Sequence, residues 1–199
     1  MTASKVSDAI SNLTKGGSYT IIVTGAITND TISEIEDALQ SKSNAKVNLD
    51  LSGTTGSISI GDWAFYSCTG LTSVTIGNSV TYIGYDAFRG CSSLTSVVIG
   101  NSVTSIGDNA FSGCSGLESV TIGNNVTTIG DFAFYNCTGL TRVEIPDSVT
   151  SIGESAFASC SSLTTVNYKG TQEQWEQISI GSYNVYLTDA TIKYGYTGE

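Results

Sequence analysis

The stretch Ile106-Gly-Asp-Asn-Ala-Phe-Ser-Gly-Cys-Ser-Gly-Leu-Glu-Ser-Val-Thr-Ile122 decides the fold, because the chain writes its pattern five times at one interval. Phe111 stands in a column with Phe65, Phe88, Phe134 and Phe157. Cys114 stands in a column with Cys68, Cys91, Cys137 and Cys160, and successive members of each lie 23 residues apart. Columns through Gly107, Ala110, Leu117 and Val120 keep the same register. A fixed period of this length is the mark of a stacked repeat array.

Each unit has a physical reading. In Leu71-Thr-Ser-Val74-Thr-Ile76, strand alternation predicts Val74 and Ile76 inward and Thr72, Ser73 and Thr75 outward. A second extended segment is predicted at Val80-Thr-Tyr-Ile83. The A-F-x-x-C stretch is too short for a stable helix and is predicted to form one tight helical turn. Asp62, Asp108, Asp131 and Glu154 stand just ahead of it, as N-caps would. Gly77-Asn78, Gly100-Asn101, Gly123-Asn124 and Pro146-Asp147 supply a corner. One unit cannot bury its own apolar face, but stacked units share a continuous core at ~4.8 Å per strand. The spacing L-x-x-L-x-L therefore predicts a leucine-rich-repeat solenoid. It should be mostly β with short helical turns, and wound as a right-handed superhelix.

A solenoid needs caps. Residues 1–50 do not repeat and are predicted to form an α/β N-terminal cap. In it, Val6, Ala9, Ile10 and Leu13 lie on one helical face and Tyr19 to Thr24 form a strand. Thr31-x-x-Glu34 opens a helix to about Lys42, and Val47, Leu49 and Leu51 alternate into a second strand. The array of about five repeats is assigned to residues 51–168. Residues 169–199 read as a short helix-strand C-terminal cap. There Thr171-Gln-Glu-Gln174 is a capping box, Trp175 is placed to plug the open end, and Thr191 to Tyr196 form a last strand.

Composition excludes several functions. Eight Lys and Arg stand against 18 Asp and Glu, for a net charge of −10. Between residues 51 and 165 the only basic residues are Arg89 and Arg142. Phosphate binding needs clustered cations, so nucleic acid and anionic membrane surfaces are poor partners. There is no His, which removes the commonest general base and metal ligand. No run approaches the ~18 apolar residues of a membrane helix, so no direct membrane insertion is expected. The start, MTASKVSDAISNLTKGG, lacks a basic region followed by an apolar run. It is read either as cytosolic or as a chain whose export signal stands outside it. Nucleophile-elbow and phosphate-loop motifs are absent, and no cofactor or metal is expected.

The unit I-G-x-x-A-F-x-x-C-x-x-L-x-x-V-x-I, with Pro146-Asp147-Ser-Val149 and the closing Tyr168-Lys-Gly-Thr-Gln-Glu-Gln-Trp175, resembles the BspA-like leucine-rich repeats over about residues 51–196. The resemblance implies a curved solenoid displayed on bacterial surfaces, found also in some parasitic protists. It implies adhesion to host matrix proteins and to other microbes, an extracellular or cell-surface location, and no catalytic residue. The chain departs from the family in having Gly77, Gly100 and Gly123 where Pro is frequent, and in the shortness of its array.

Four features compete for a function. The five Cys could pair or bind metal. An odd ladder cannot all pair, however, and zinc needs grouped ligands such as C-x2-C, so buried structural thiols in the core beside the Phe column are favoured. The acidic column could hold Ca²⁺, and capping is the plainer reading. The outward strand face carries Thr at many positions as ordinary solvated strand residues, and a solenoid also binds on such a face. Glu118, Arg142 and Glu144 are its charge variation, with Thr121, Val98 and Asn167 beside them. Trp63, Tyr66, Tyr85, Phe132 and Tyr135 could pack on neighbouring repeats or face a ligand. The favoured function is a non-enzymatic adhesion module, expected to be monomeric, that binds a host matrix or cell-surface protein. A carbohydrate-binding module and a passive spacer within a larger surface protein are the alternatives.

Overall fold

A computed structural model of the chain describes residues 17–41 and 45–198. With strands numbered in chain order, eight form one parallel sheet: β1 Ser18–Ala26, β2 Lys46–Thr55, β4 Leu71–Ile76, β6 Ser96–Ile99, β8 Ser119–Thr121, β10 Arg142–Ile145, β12 Thr165–Tyr168 and β14 Thr191–Lys193. Six short strands form a second parallel sheet: β3 Ile58–Ile60, β5 Val80–Ile83, β7 Ser105–Ile106, β9 Thr128–Ile129, β11 Ser151–Ile152 and β13 Ser179–Ile180. Each turn of the chain thus crosses one sheet, then the other, and closes through a third side. The result is a leucine-rich-repeat solenoid. Register is set by the period: Val97 pairs Val74 on one side and Val120 on the other.

The third side is not the helical turn predicted from A-F-x-x-C. The N–H groups of Trp63, Phe65 and Ser67 donate to the carbonyls of Tyr85, Ala87 and Arg89 in the next turn, at 2.9, 2.7 and 2.8 Å. The alternate residues Ala64, Tyr66 and Cys68 close tight turns onto Gly61, Trp63 and Phe65, at 3.3, 3.0 and 3.2 Å. Each backbone donor is thereby satisfied, and half of them are committed between turns, which forbids a helical ladder. The pattern requires a left-handed residue at 63 and again at 67 in the first turn, with φ 57° and 55°.

The core runs the length of the stack. Phe65, Phe88, Phe111, Phe134 and Phe157 are fully buried and stack ring on ring, with centroids 5.0, 5.0, 5.3 and 5.1 Å apart. Such separations follow from the strand spacing, and offset aromatic stacks of this kind add to area burial. The cysteines lie beside them, all buried and unpaired.

At the N-terminal end, α1 (Asn29–Ser41) crosses from β1 to β2, which pair in parallel. It buries Ile32, Ile35, Ala38 and Leu39. It begins ahead of the predicted Thr31. Thr28 precedes the first helical residue and exchanges reciprocal bonds with Thr31, each backbone N–H reaching the other's hydroxyl at 3.2 and 3.4 Å. The helix expected over Val6 to Leu13, and the end expected at Lys42, lie outside the described residues. The division drawn at residue 50 falls inside β2. At the C-terminal end, α2 (Gln172–Trp175) opens on Thr171 with both capping-box bonds present, and α3 (Val185–Thr188) follows. Trp175 is buried edge-on against Tyr168, ring centroids 5.2 Å apart.

The stack has a sixth turn beyond the five that the Cys column counts. Ile180 of β13 pairs Ile152, although strict 23-residue spacing would put Trp175 there. The capping helix is inserted between, and so hides the last turn from a search at constant period.

Candidate functional site

The outward face of the eight-stranded sheet is built by strand alternation on a fixed register. One row across it reads Asp50, Thr75, Val98, Thr121, Glu144, Asn167 and Lys193. The neighbouring row reads Asn48, Ser73, Ser96, Ser119, Arg142, Thr165 and Thr191. Glu118 lies one residue ahead of this second row. Glu118 and Arg142 are exposed, Glu144 and Thr121 are half-buried, and Val98 is 43% exposed. Among the described residues the one ion pair is Arg89–Asp86, so Arg142 bonds neither glutamate and its guanidinium is available to a partner.

Asn167 belongs to the row but not to the accessible face. It is 6% exposed, and its Oδ1 is buried with no hydrogen-bond partner. Alternation places its side chain outward on β12, which β14 flanks within the same sheet, so alternation alone does not account for its burial.

The acidic column does not cap its own turns. Asp62 Oδ1 accepts the backbone N–H of Tyr85 at 2.9 Å. Asp108 Oδ1 accepts that of Asp131 at 2.9 Å, and Asp131 Oδ1 that of Glu154 at 2.7 Å. Asn78 and Asn101 form a parallel ladder onto Asn101 and Asn124, at 2.8 Å each. Both columns tie one turn to the next at a corner where the strand ladders stop. Among the described residues no group of three His, Cys, Asp or Glu is placed to hold a metal ion.

The aromatics at the variable positions fall into two groups on the third side. Trp63 is 53% exposed, meets Tyr85 edge to face at 5.4 Å, and donates its indole N–H to Asp86 Oδ2 at 3.0 Å. Asp86, nearly buried, also receives Arg89 at 3.3 Å. Phe132 is half-buried and meets Tyr135 edge to face at 5.7 Å. Tyr82 stands near the carboxylates of Asp62 and Asp108; burial first, then those charges, pushes its hydroxyl above the usual tyrosine range.

The thiols offer no chemistry. Burial pushes Cys68 and Cys160 up to about 12 and also raises Cys91, Cys114 and Cys137 well above the usual thiol range, which disfavours the thiolate that nucleophilic or metal chemistry needs. The concavities are shallow. One is lined by Leu39, Gln40, Tyr66, Ser67, Cys68 and Thr69, and others lie at the two caps. Converging carboxylates of the kind that general acid–base chemistry needs do not line these three.

Comparison with known proteins agrees with this architecture. The model of the BspA type leucine rich repeat region matches residues 58–184 in six copies. A leucine-rich repeat protein of T. pallidum superimposes with a TM-score of 0.57 at 30% identity, over 61% of this chain and 58% of that one. The pneumococcal vaccine antigen PcpA shares the fold with a TM-score of 0.55 at 15% identity, over 77% of this chain and 41% of that one. A leucine-rich cell surface protein of Faecalibacterium prausnitzii aligns at 30% identity over 78% of this chain and 48% of that one, with a TM-score of 0.47. The chain therefore spans less than two thirds of each of these proteins. No curated protein matches it. Six matched copies on a parallel solenoid of this register place the chain in the BspA-type leucine-rich repeat family.

Proposed function

We propose that this chain is a non-enzymatic interaction segment of a cell-surface adhesion protein, and that it takes a host matrix or cell-surface protein on the outward face of the eight-stranded sheet. Support for a protein-interaction role comes from the family and from the scaffold type. A rigid parallel sheet of eight strands presents one continuous, weakly charged polar face, as solenoid binding surfaces do. The observation that carries the location is the grouping of Glu118, Arg142 and Glu144, an unpaired cation between two carboxylates on an otherwise uncharged stretch of face. Charge of this kind at an interface sets register and partner choice more than raw affinity. An extracellular setting fits five thiols that are shielded from oxidants by burial. No helix among the described residues is long and apolar enough to cross a membrane.

The test is saturable binding to immobilised matrix proteins, run beside a Glu118→Ala/Arg142→Ala/Glu144→Ala variant. Binding that weakens at least about tenfold in the variant, with an unchanged melting temperature, supports the reading. Equal binding by both proteins removes the site from this face. Absence of binding to any matrix or cell-surface protein leaves the spacer role as the better account.

A further inference from the structure

The left-handed corner of each turn is a demand on the backbone that sequence should answer with Gly, Asn or Asp. Two such columns run along the third side. The column of residue 67 answers with Gly and small polar residues: Ser67, Gly90, Gly113, Asn136 and Ser159 all have positive φ. The column of residue 63 does not. It reads Trp63, Asp86, Asn109, Phe132, Ser155 and Tyr183, with φ between 54° and 65°. At turns one, four and six a bulky aromatic sits where the backbone disfavours it. Burial does not compensate at Trp63 and Tyr183, 53% and 72% exposed, and does so only in part at the half-buried Phe132. A residue type that is costly for the backbone and gains little from the core points to a role at the surface.

These rings are also held ready. Trp63 is fixed by its bond to Asp86 and by the edge of Tyr85, and Phe132 by the edge of Tyr135. Tyr66 and Tyr135 occupy a second common column, 41% and 40% exposed. The acidic column runs alongside. Asp62, Asp108 and Asp131 each use one carboxylate oxygen within the ladder, and the other makes no hydrogen bond among the described residues. Aromatic faces suit the C–H faces of pyranose rings, and free carboxylate oxygens suit their hydroxyls. The one cation on this side, Arg89, is already paired to Asp86, so an anionic ligand would meet acids with no free counter-charge.

We infer that the column Trp63–Phe132–Tyr183 is a linear binding track for an extended, uncharged polysaccharide of the β-1,4-linked hexose class, separate from the strand face. Spacing selects an extended chain. Successive turns are one strand spacing, ~4.8 Å, apart, which is close to the advance of one sugar in such a chain. Trp63 and Phe132 are three turns apart and Phe132 and Tyr183 two, so six consecutive sugars reach all three rings and three sugars reach at most two, Phe132 and Tyr183.

Calorimetric titration of the full chain with cellohexaose, cellotriose and a hexagalacturonate tests this. Trp63→Asn and Phe132→Asn serve as variants, since Asn109 and Asn136 already occupy left-handed positions on this side. The expected result is that the hexaose binds at least about tenfold tighter than the triose, and that each variant loses about tenfold for the hexaose. Thermal unfolding of the variants should stay unchanged or rise. The inference is overturned by no saturable binding of the hexaose, by equal affinity for triose and hexaose, or by preference for the hexagalacturonate. It is equally overturned by a lowered melting temperature in Trp63→Asn, which would show the aromatic to be there for the fold. The strand-face variant Glu118→Ala/Arg142→Ala/Glu144→Ala should bind the hexaose as the parent does, so failure here and failure of the protein-binding reading are separable.

Discussion

The thiol of Cys114 donates to the carbonyl oxygen of Phe88, one turn back, at 3.2 Å. Cys91, Cys137 and Cys160 repeat the bond onto Phe65, Phe111 and Phe134 at 3.1, 3.2 and 3.1 Å. The thiols therefore tie turn to turn as protonated donors, and this has a pH signature. Burial raises the native pKa of Cys68 and Cys160 from 9.0 to about 12, while the unfolded thiols titrate near ~8.5. A native pKa above the unfolded one stabilises the fold fully below the unfolded value and loses that contribution as pH rises. Stability should fall from about pH 9 toward 12, by up to ~1.4 kcal/mol per pH unit for each such thiol. Urea unfolding at pH 8 and 10 checks it, with Cys114→Ala expected to give a shallower fall. A flat profile between those pH values would mean that the thiols are not buried donors.

The Phe ladder and the strand face separate what holds the stack from what faces solvent. Phe111 lies between Phe88 and Phe134, fully buried, and Phe111→Ala should cost ~3–5 kcal/mol. Thr95→Ala removes an exposed side chain whose hydroxyl reaches only the carbonyl of Thr72, and should cost within about 0.5 kcal/mol. Equal urea midpoints for the two variants would contradict this division of the repeat.

What was legible in the sequence is what the period controls. The 23-residue columns give both strands of each turn, their facing, and the identity of the core, because every turn answers the same packing problem. Misreadings arise where one turn acts on the next. The A-F-x-x-C stretch looks like a helical turn when read alone, but the N–H of Phe65 is already taken by Ala87. The aspartates look like N-caps of their own turns, yet Asp108 serves Asp131. At the ends the period itself fails. Thr28 and Thr31 cap each other one turn ahead of the Thr31-x-x-Glu34 pattern, and the inserted α2 displaces the sixth turn. The charge group at Glu118, Arg142 and Glu144 was legible by alternation, whereas the burial of Asn167, an outward position by the same alternation, was not.

Backbone stacked on backbone fixes the Gly column. A Cβ on Gly107 would sit 2.7 Å from the carbonyl carbon of Gly84 and 2.8 Å from its oxygen, so no side-chain movement can relieve it. Gly107→Ala should therefore cost ~1–3 kcal/mol, as overpacking does. Denaturation of this variant at the wild-type midpoint would show that adjacent turns can slide apart at the corner.

Trp175 offers the test of how the array ends. It is buried against Tyr168, beyond which the last strand β14 pairs only with β12. In a one-dimensional stack each turn is stabilised by its neighbours, so loss of the plug should act locally before it acts globally. Trp175→Ala is expected to raise hydrogen exchange at the N–H of Thr191, bonded to Thr164 at 2.9 Å, and at that of Gly181, bonded to Ile152 at 2.8 Å. The N–H of Phe111, bonded to Ala133 in mid-stack at 2.7 Å, should exchange as slowly as in the parent. Local opening of this kind reports sub-global stability. If protection at Phe111 fell together with that at Thr191, the solenoid would unfold as one unit and Trp175 would be part of a common core instead of an end plug.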